Sequence, residues 1–119
     1  MADTDRRHAL IIEDEMLIAL EVEHLLREMG FTSFAFADSP AEALSSAKAC
    51  RPDLITADMR IHGGTGLEAV RSISTELGEV PYVFVTGNAS MLQSEPRALV
   101  VEKPINRRIF AAACEAAGA

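Results

Sequence analysis

The sequence predicts an α/β domain, in which a parallel β-sheet is covered on both faces by helices. Three observations predict it. Short apolar runs alternate with segments of helical periodicity five times along the chain, as strands joined by helical crossovers do. The run Pro81-Tyr82-Val83-Phe84-Val85 is apolar throughout, as expected of a central strand buried on both faces. The length of 119 residues, with 49% apolar and 24% charged residues, suits one domain with one core and is too apolar for a disordered segment.

The elements follow in order. Ala9 to Ile12 is the first strand, stopped abruptly by Glu13-Asp14. A helix of about 16 residues comes next, with Ile18, Val22, Leu25 and Met29 as its apolar stripe and Glu21, His24 and Glu28 opposite. Gly30 is its expected C-terminal cap. Phe31 to Phe36 is less hydrophobic and reads as a second strand at a sheet edge. Ser39-Pro40-Ala41-Glu42 has the form of a capping box with proline at the first helical position, and that helix runs to about Cys50 before Arg51-Pro52 breaks it. Asp53 to Ala57 is the third strand. Asp58 and a connection containing Gly63, Gly64 and Gly66 follow it.

Thr65 to Glu68 fits a second capping box, and Leu67, Val70, Ile73 and Leu77 give the third helix its apolar face. The fourth strand, Pro81 to Val85, ends at Thr86-Gly87. From Asn88 to Pro96 the periodicity is weak, which predicts a short or irregular fourth helix. Ala98 to Val101 is the fifth strand, ending at Glu102-Lys103-Pro104. Asn106 is placed to cap a last helix built on Ile109, Phe110, Ala113 and Cys114. The expected product is five strands and five helices in three layers, a single domain over 1–119 with its core at about 7–117.

The bulk properties narrow the function. A net charge of −7 argues against a direct nucleic-acid partner, because phosphate backbones are bound by basic faces. Cys50 and Cys114 have neither metal-ligand nor redox-motif spacing and are expected to be buried, reduced thiols. The N-terminal MADTDRRHAL lacks the apolar core of a signal peptide, and no stretch reaches membrane-spanning length. A cytoplasmic protein without a membrane partner is expected.

Position carries the functional signal. Glu13-Asp14, Asp58, Thr86 and Lys103 each follow the end of an expected strand. In a parallel sheet these ends share one edge, where open α/β sheets bind ligands. Taken singly each has an ordinary reading: Asp14 as a helix cap, Asp58 and Thr86-Gly87 as turns, Lys103 as a surface lysine. Together they bring three carboxylates, a hydroxyl and an ammonium to one crevice. Carboxylates packed there would repel by roughly 4 kcal/mol per close pair at a near-surface dielectric. A divalent cation relieves this, and oxygen ligands without Cys or His favour Mg2+ over zinc. A carboxylate beside such a cation is a nucleophile for a phosphoryl group, with Lys103 and Thr86 available to its oxygens.

The constellation resembles the receiver domain of response regulators in bacterial two-component phosphorelay systems. The matching pieces are Ile11-Ile12-Glu13-Asp14-Glu15, Asp58 after an apolar strand, Gly66, Thr86 and Lys103-Pro104. Phe84-Val85-Thr86-Gly87 is similar to the motif of the alphaproteobacterial FATGUY-type single-domain group, although Asn88-Ala89-Ser90 follows where that group has its tyrosine. The resemblance implies a doubly wound, flavodoxin-like sheet of strand order 2-1-3-4-5. It implies that Asp58 is phosphorylated by a sensor histidine kinase or histidine phosphotransferase. Asp14, Asp58 and the backbone carbonyl of Arg60 would hold Mg2+, with Glu13 acting partly through water. Lys103 would pair with the phosphoryl group, the bond to Pro104 would be cis, and Thr86 would swing toward the phosphoryl oxygen.

Three departures stand out. Val100 replaces the usual switch aromatic three residues before the lysine, His62 replaces a common proline, and 16 residues lie between Thr86 and Lys103, fewer than is typical. Only about one helix follows Lys103, so the expected output is contact with an unknown downstream protein, or phosphoryl shuttling, from a monomer or weak dimer that is not an enzyme. Two rivals remain. One is a degenerate receiver acting without phosphorylation. The other is a small phosphatase with Asp58 as nucleophile, although Arg60 stands where dehalogenase-type phosphatases carry a second acid.

Overall fold

The first strand, β1 (His8–Ile12), is buried along its whole length, and the rest of the fold is built around it. The computed structural model describes residues 7–92 and 99–119. The other elements are α1 (Met16–Glu28), β2 (Ser33–Ala37), α2 (Pro40–Ala49), β3 (Leu54–Ala57), β4 (Arg60–Ile61), β5 (Gly64–Thr65), α3 (Gly66–Leu77), β6 (Tyr82–Thr86), β7 (Val100–Glu102) and α4 (Arg107–Ala117). Five strands form one sheet in the order β2-β1-β3-β6-β7, every neighbouring pair parallel. This is the expected flavodoxin-like order, with β2 at an edge and β6 inside. The order reverses between β1 and β3, which opens a crevice at the C-terminal ends of those strands.

Strand pleating sends alternate side chains to opposite faces, and the chain buries both. Leu10, Ile12, Ile55, Ala57 and Phe84 pack with Ala43 and Ala47 of α2 and Ala69, Val70 and Ile73 of α3. On the other face Ala9, Ile11, Leu54, Val83 and Val85 pack with Ala19, Val22 and Leu26 of α1 and Phe110 and Cys114 of α4. Arg107 of α4 pairs with Glu28 of α1, which ties together the two helices on that face.

Local signals act where they were expected, with shifts. Thr65 and Glu68 form a complete capping box at the start of α3. Ser39 accepts from the Glu42 amide at α2, but the Glu42 carboxylate reaches one residue further, to the amide of Asp38, so that box is only half made. Asn106 accepts from the Ile109 amide and caps α4. Gly30, at φ +102, takes the turn after α1, a conformation other residues adopt at a cost. α1 buries Ala19, Val22 and Leu26, and Ile18, Leu25 and Met29 of the expected stripe pack half-buried against the same cluster.

The sheet meets expectation, but the helix count does not. Four α-helices, not five, are found among the described residues, and a single 3-10 turn at Ala89–Leu92 follows β6. There Thr86 Oγ1 takes the Asn88 amide at 3.0 Å and Met91 bonds back to Asn88 with i to i+3 spacing, so the segment starts as a turn. The remainder of the expected helix, to Pro96, and the expected strand start at Ala98 lie outside the described residues.

β2 begins two residues later than expected, because Phe31 is a buried plug before the strand, covered by the Arg7 guanidinium 4.0 Å from its ring centroid. Ile109, expected on the inner face of α4, is exposed, and Phe110 and Cys114 alone are buried there. Cys50, expected to be buried, is exposed. α2 ends at Ala49 and Cys50 is extended, so its side chain leaves the face that buries Ala43 and Ala47.

Candidate functional site

The sheet hydrogen bonds place each side chain of the site. The Glu13 amide donates to the Ala37 carbonyl at the end of β2, the Asp58 amide to Ile12 at the end of β1, and the Lys103 amide to Thr86 at the end of β6. Glu13, Asp58 and Lys103 are thus the first residues past three parallel strands, held by the last rungs of the sheet. A tight turn completes the floor. The Gly66 amide donates to the Met59 carbonyl, and a Cβ at Gly66 would lie 2.1 Å from the Asp58 carbonyl oxygen. Only glycine fits there.

Lys103 leaves β7 and reaches past β6 to the ends of β3 and β1. Its Nζ lies 2.8 Å from Asp58 Oδ2, 3.1 Å from Glu13 Oε1 and 3.3 Å from Glu15 Oε1. The Glu15 amide in turn donates to Glu13 Oε2 at 3.2 Å. Glu13, Asp14, Glu15 and Asp58 each offer a carboxylate oxygen within 4.8 Å of the others. Glu13 and Asp58 are buried, whereas Asp14 and Glu15 are exposed.

The electrostatics follow from this burial. Loss of solvent pushes the Glu13 carboxyl up to about 7, against the hydrogen bond from Lys103, and the Asp58 charge adds to the rise. Burial alone would pull Lys103 down, but its hydrogen bonds to Asp58 and Glu13 hold the ammonium above its ordinary value. The lysine therefore stays charged and serves as counter-ion to the acids. One atom is left over. Asp58 Oδ1 is buried and has no hydrogen-bond partner among the described residues, an arrangement native proteins rarely tolerate without a ligand.

Of the residues named from sequence, Glu13, Asp14, Asp58 and Lys103 are brought together. Thr86 is fully buried at the end of β6, its hydroxyl accepting from Asn88. Arg60 is exposed and opens the β4–β5 hairpin opposite Thr65. The Lys103–Pro104 peptide is cis. Val100 is half-buried and pairs with Phe84 across β6 and β7. His62 is exposed in the hairpin turn. The residue that sequence reasoning did not assign to the site is Glu15, whose partner lies 88 residues away. Only its place beside two acids hinted at it.

Comparisons with known proteins agree with this geometry. The family model "Response regulator receiver domain" matches residues 9–114. The phyllosphere-induced regulator PhyR of Methylorubrum extorquens is 36% identical over 100 residues, covering 80% of this chain and 37% of that one. The chain therefore spans little more than a third of that relative's length. The receiver domain of Erythrobacter litoralis PhyR superposes with a TM-score of 0.85 at 28% identity, covering 97% of this chain and 92% of that one. The anti-anti-sigma factor PhyR of Bartonella quintana gives a TM-score of 0.80 at 28% identity, over 94% of this chain and 47% of that one. The chain belongs to the response regulator receiver domain family.

Proposed function

We propose that Asp58 accepts a phosphoryl group from a phosphohistidine of a sensor kinase or phosphotransferase in a Mg2+-dependent reaction. The observation that carries this reading is the buried Oδ1 of Asp58, without a hydrogen-bond partner among the described residues, beside three further carboxylates and a lysine bound to its other oxygen. The donor set suits Mg2+, since it is made of carboxylate oxygens with no Cys or His. Asp14, Asp58 and the Arg60 carbonyl would hold the ion, with Glu13 linked partly through water. Bound there, Mg2+ supplies positive charge to the phosphoryl oxygens during in-line transfer.

The chain's own residues do the rest. An Asp58 carboxylate oxygen attacks phosphorus, the P–N bond breaks, and its electron pair leaves with the imidazole. Lys103, hydrogen-bonded to Asp58, offers its ammonium to a phosphoryl oxygen, and Thr86 turns its hydroxyl from Asn88 toward another. The added charge of about −1.5 to −2 reaches the rest of the domain through the segment after Thr86, because Val100 provides no aromatic ring to swing. Signalling then proceeds by protein contact rather than by turnover of a substrate. The likeness to PhyR, an anti-anti-sigma factor in Bartonella quintana, and the net charge of −7 support a protein partner over nucleic acid. No helix among the described residues is long and apolar enough to cross a membrane.

Incubation with acetyl phosphate and Mg2+, followed by intact mass spectrometry, tests the reading. One phosphoryl group is expected on the wild type, and none on Asp58→Ala or when the metal is chelated. An unmodified wild type, with acetyl phosphate and with a phosphohistidine donor alike, would favour a receiver that works without phosphorylation.

A further inference from the structure

Lys103 carries three N–H donors, and its ammonium has three carboxylate partners: Asp58, Glu13 and Glu15. Asp58 accepts a hydrogen bond at 2.8 Å and Glu15 at 3.3 Å, and Glu13 lies at ion-pair distance, so a phosphoryl oxygen reaching this crowded ammonium displaces a partner. The partners are not equally replaceable. The side chains of Glu13 and Asp58 are 3% and 6% exposed, that of Glu15 65%. In the metal-free site, taking the ammonium from a buried carboxylate leaves an uncompensated charge, which is costly. Glu15 is rehydrated as it lets go, and ion pairs at that exposure are weak.

The backbone gives independent support. Glu15 is the N-cap residue of α1, at φ −96 and ψ 108, and its side chain makes no capping hydrogen bond. Ser, Thr, Asp or Asn is favoured at such a position, where a short side chain satisfies a free amide of the first turn. Glutamate forgoes that bond, and its carboxylate meets the Lys103 ammonium that arrives from the end of β7. The Glu15 amide bonds to Glu13 Oε2, and this clamps the 13–15 turn with both acids on one ammonium.

We infer that Glu15 is a positioning residue for the transfer, occupying a donor of Lys103 at rest and released when a phosphoryl oxygen takes its place. The inference rests on phosphorylation of Asp58. No proton changes hands in this exchange. One N–H···O contact at Glu15 breaks and another forms at phosphorus-bound oxygen, so Glu15 competes with the incoming anion and slows its capture.

The test uses the full chain as wild type, Glu15→Gln and Glu15→Asp. The apparent second-order rate constant for phosphorylation by acetyl phosphate at saturating Mg2+ is read by timed intact mass, alongside the thermal unfolding midpoint. Gln keeps the length and removes the charge. Asp keeps the charge but is shorter by about 1.5 Å, too short for the 3.3 Å contact. Both variants are expected to react about two- to five-fold faster, the range that loss of an exposed ion pair allows. A faster Gln variant beside an unchanged Asp variant would show that only the local charge matters, and would overturn the inference. So would unchanged or slower rates in both, including a lowered unfolding midpoint without faster transfer, the mark of a merely structural contact. A wild type that gains no phosphoryl group would instead sink the phosphorylation reading itself.

Discussion

At the scale of single residues, one ammonium stabilises the metal-free site. Lys103 lies against two buried carboxylates, at 2.8 Å and 3.1 Å. Lys103→Met keeps the length of the stem and removes the charge, which leaves Glu13 and Asp58 facing each other. Breaking a buried pair in this way is expected to destabilise the Mg2+-free protein by about 3 kcal/mol, measured by urea unfolding, with Mg2+ restoring part of the loss. Glu13 adds a pH dependence of definite sign. Its carboxyl is raised from 4.5 to about 7 in the folded chain, so between those values the native state holds a proton that the unfolded state has lost. The stability this contributes is complete below about pH 4.5 and is lost as pH rises to about 7. Metal-free urea midpoints should show this decline in the wild type and a shallower one in Glu13→Gln. Mg2+ binding near pH 6 should release protons, read by calorimetry in buffers of different ionisation enthalpy; release as large in Glu13→Gln as in the wild type would contradict the assignment.

At the scale of elements, the turn from β3 to α3 is the least tolerant segment. A methyl group at Gly66 would meet the Asp58 carbonyl oxygen, so Gly66→Ala must move either the helix start or the phosphoacceptor. A stability loss of about 1–3 kcal/mol is expected from overpacking, together with slower phosphorylation by acetyl phosphate; a variant with wild-type stability and rate would show that the turn has slack. This part of the chain was legible beforehand. Asp58 after an apolar strand, the glycines and the Thr65–Glu68 box are local signals with local causes, and they placed β3 and α3 within a residue or two. Strand order was expected from the family resemblance rather than from periodicity. What local signals miss is set by distant partners. Phe31 looks like the start of a strand because it is apolar, yet it is a plug beneath Arg7. The Asn88 segment resembles a weak helix because nothing in its sequence shows that Thr86 takes its amide. Glu15 reads as a surface acid until β7 brings Lys103 to it.

At the scale of the whole molecule, the site has no local existence. Its acids, hydroxyl and ammonium come from the ends of β1, β3, β6 and β7, and each is held by hydrogen bonds that form only when the neighbouring strand is in register. The two apolar layers share that sheet, so attachment of the helices and integrity of the site are coupled. The cysteines offer a way to time that attachment. Cys114 is fully buried on the inner face of α4, and burial pushes its thiol up to about 12, where almost none is ionised at neutral pH. Cys50 stands in solvent at the end of α2. A maleimide added to the native protein should therefore modify one sulfur promptly and the second only as fast as the last helix lifts from the sheet, a lag that mild denaturant shortens. Two equally prompt adducts would mean that the C-terminal helix is already loose at rest. With a clear lag, each molecule carries its own clock for the opening of the layer beside β6 and β7.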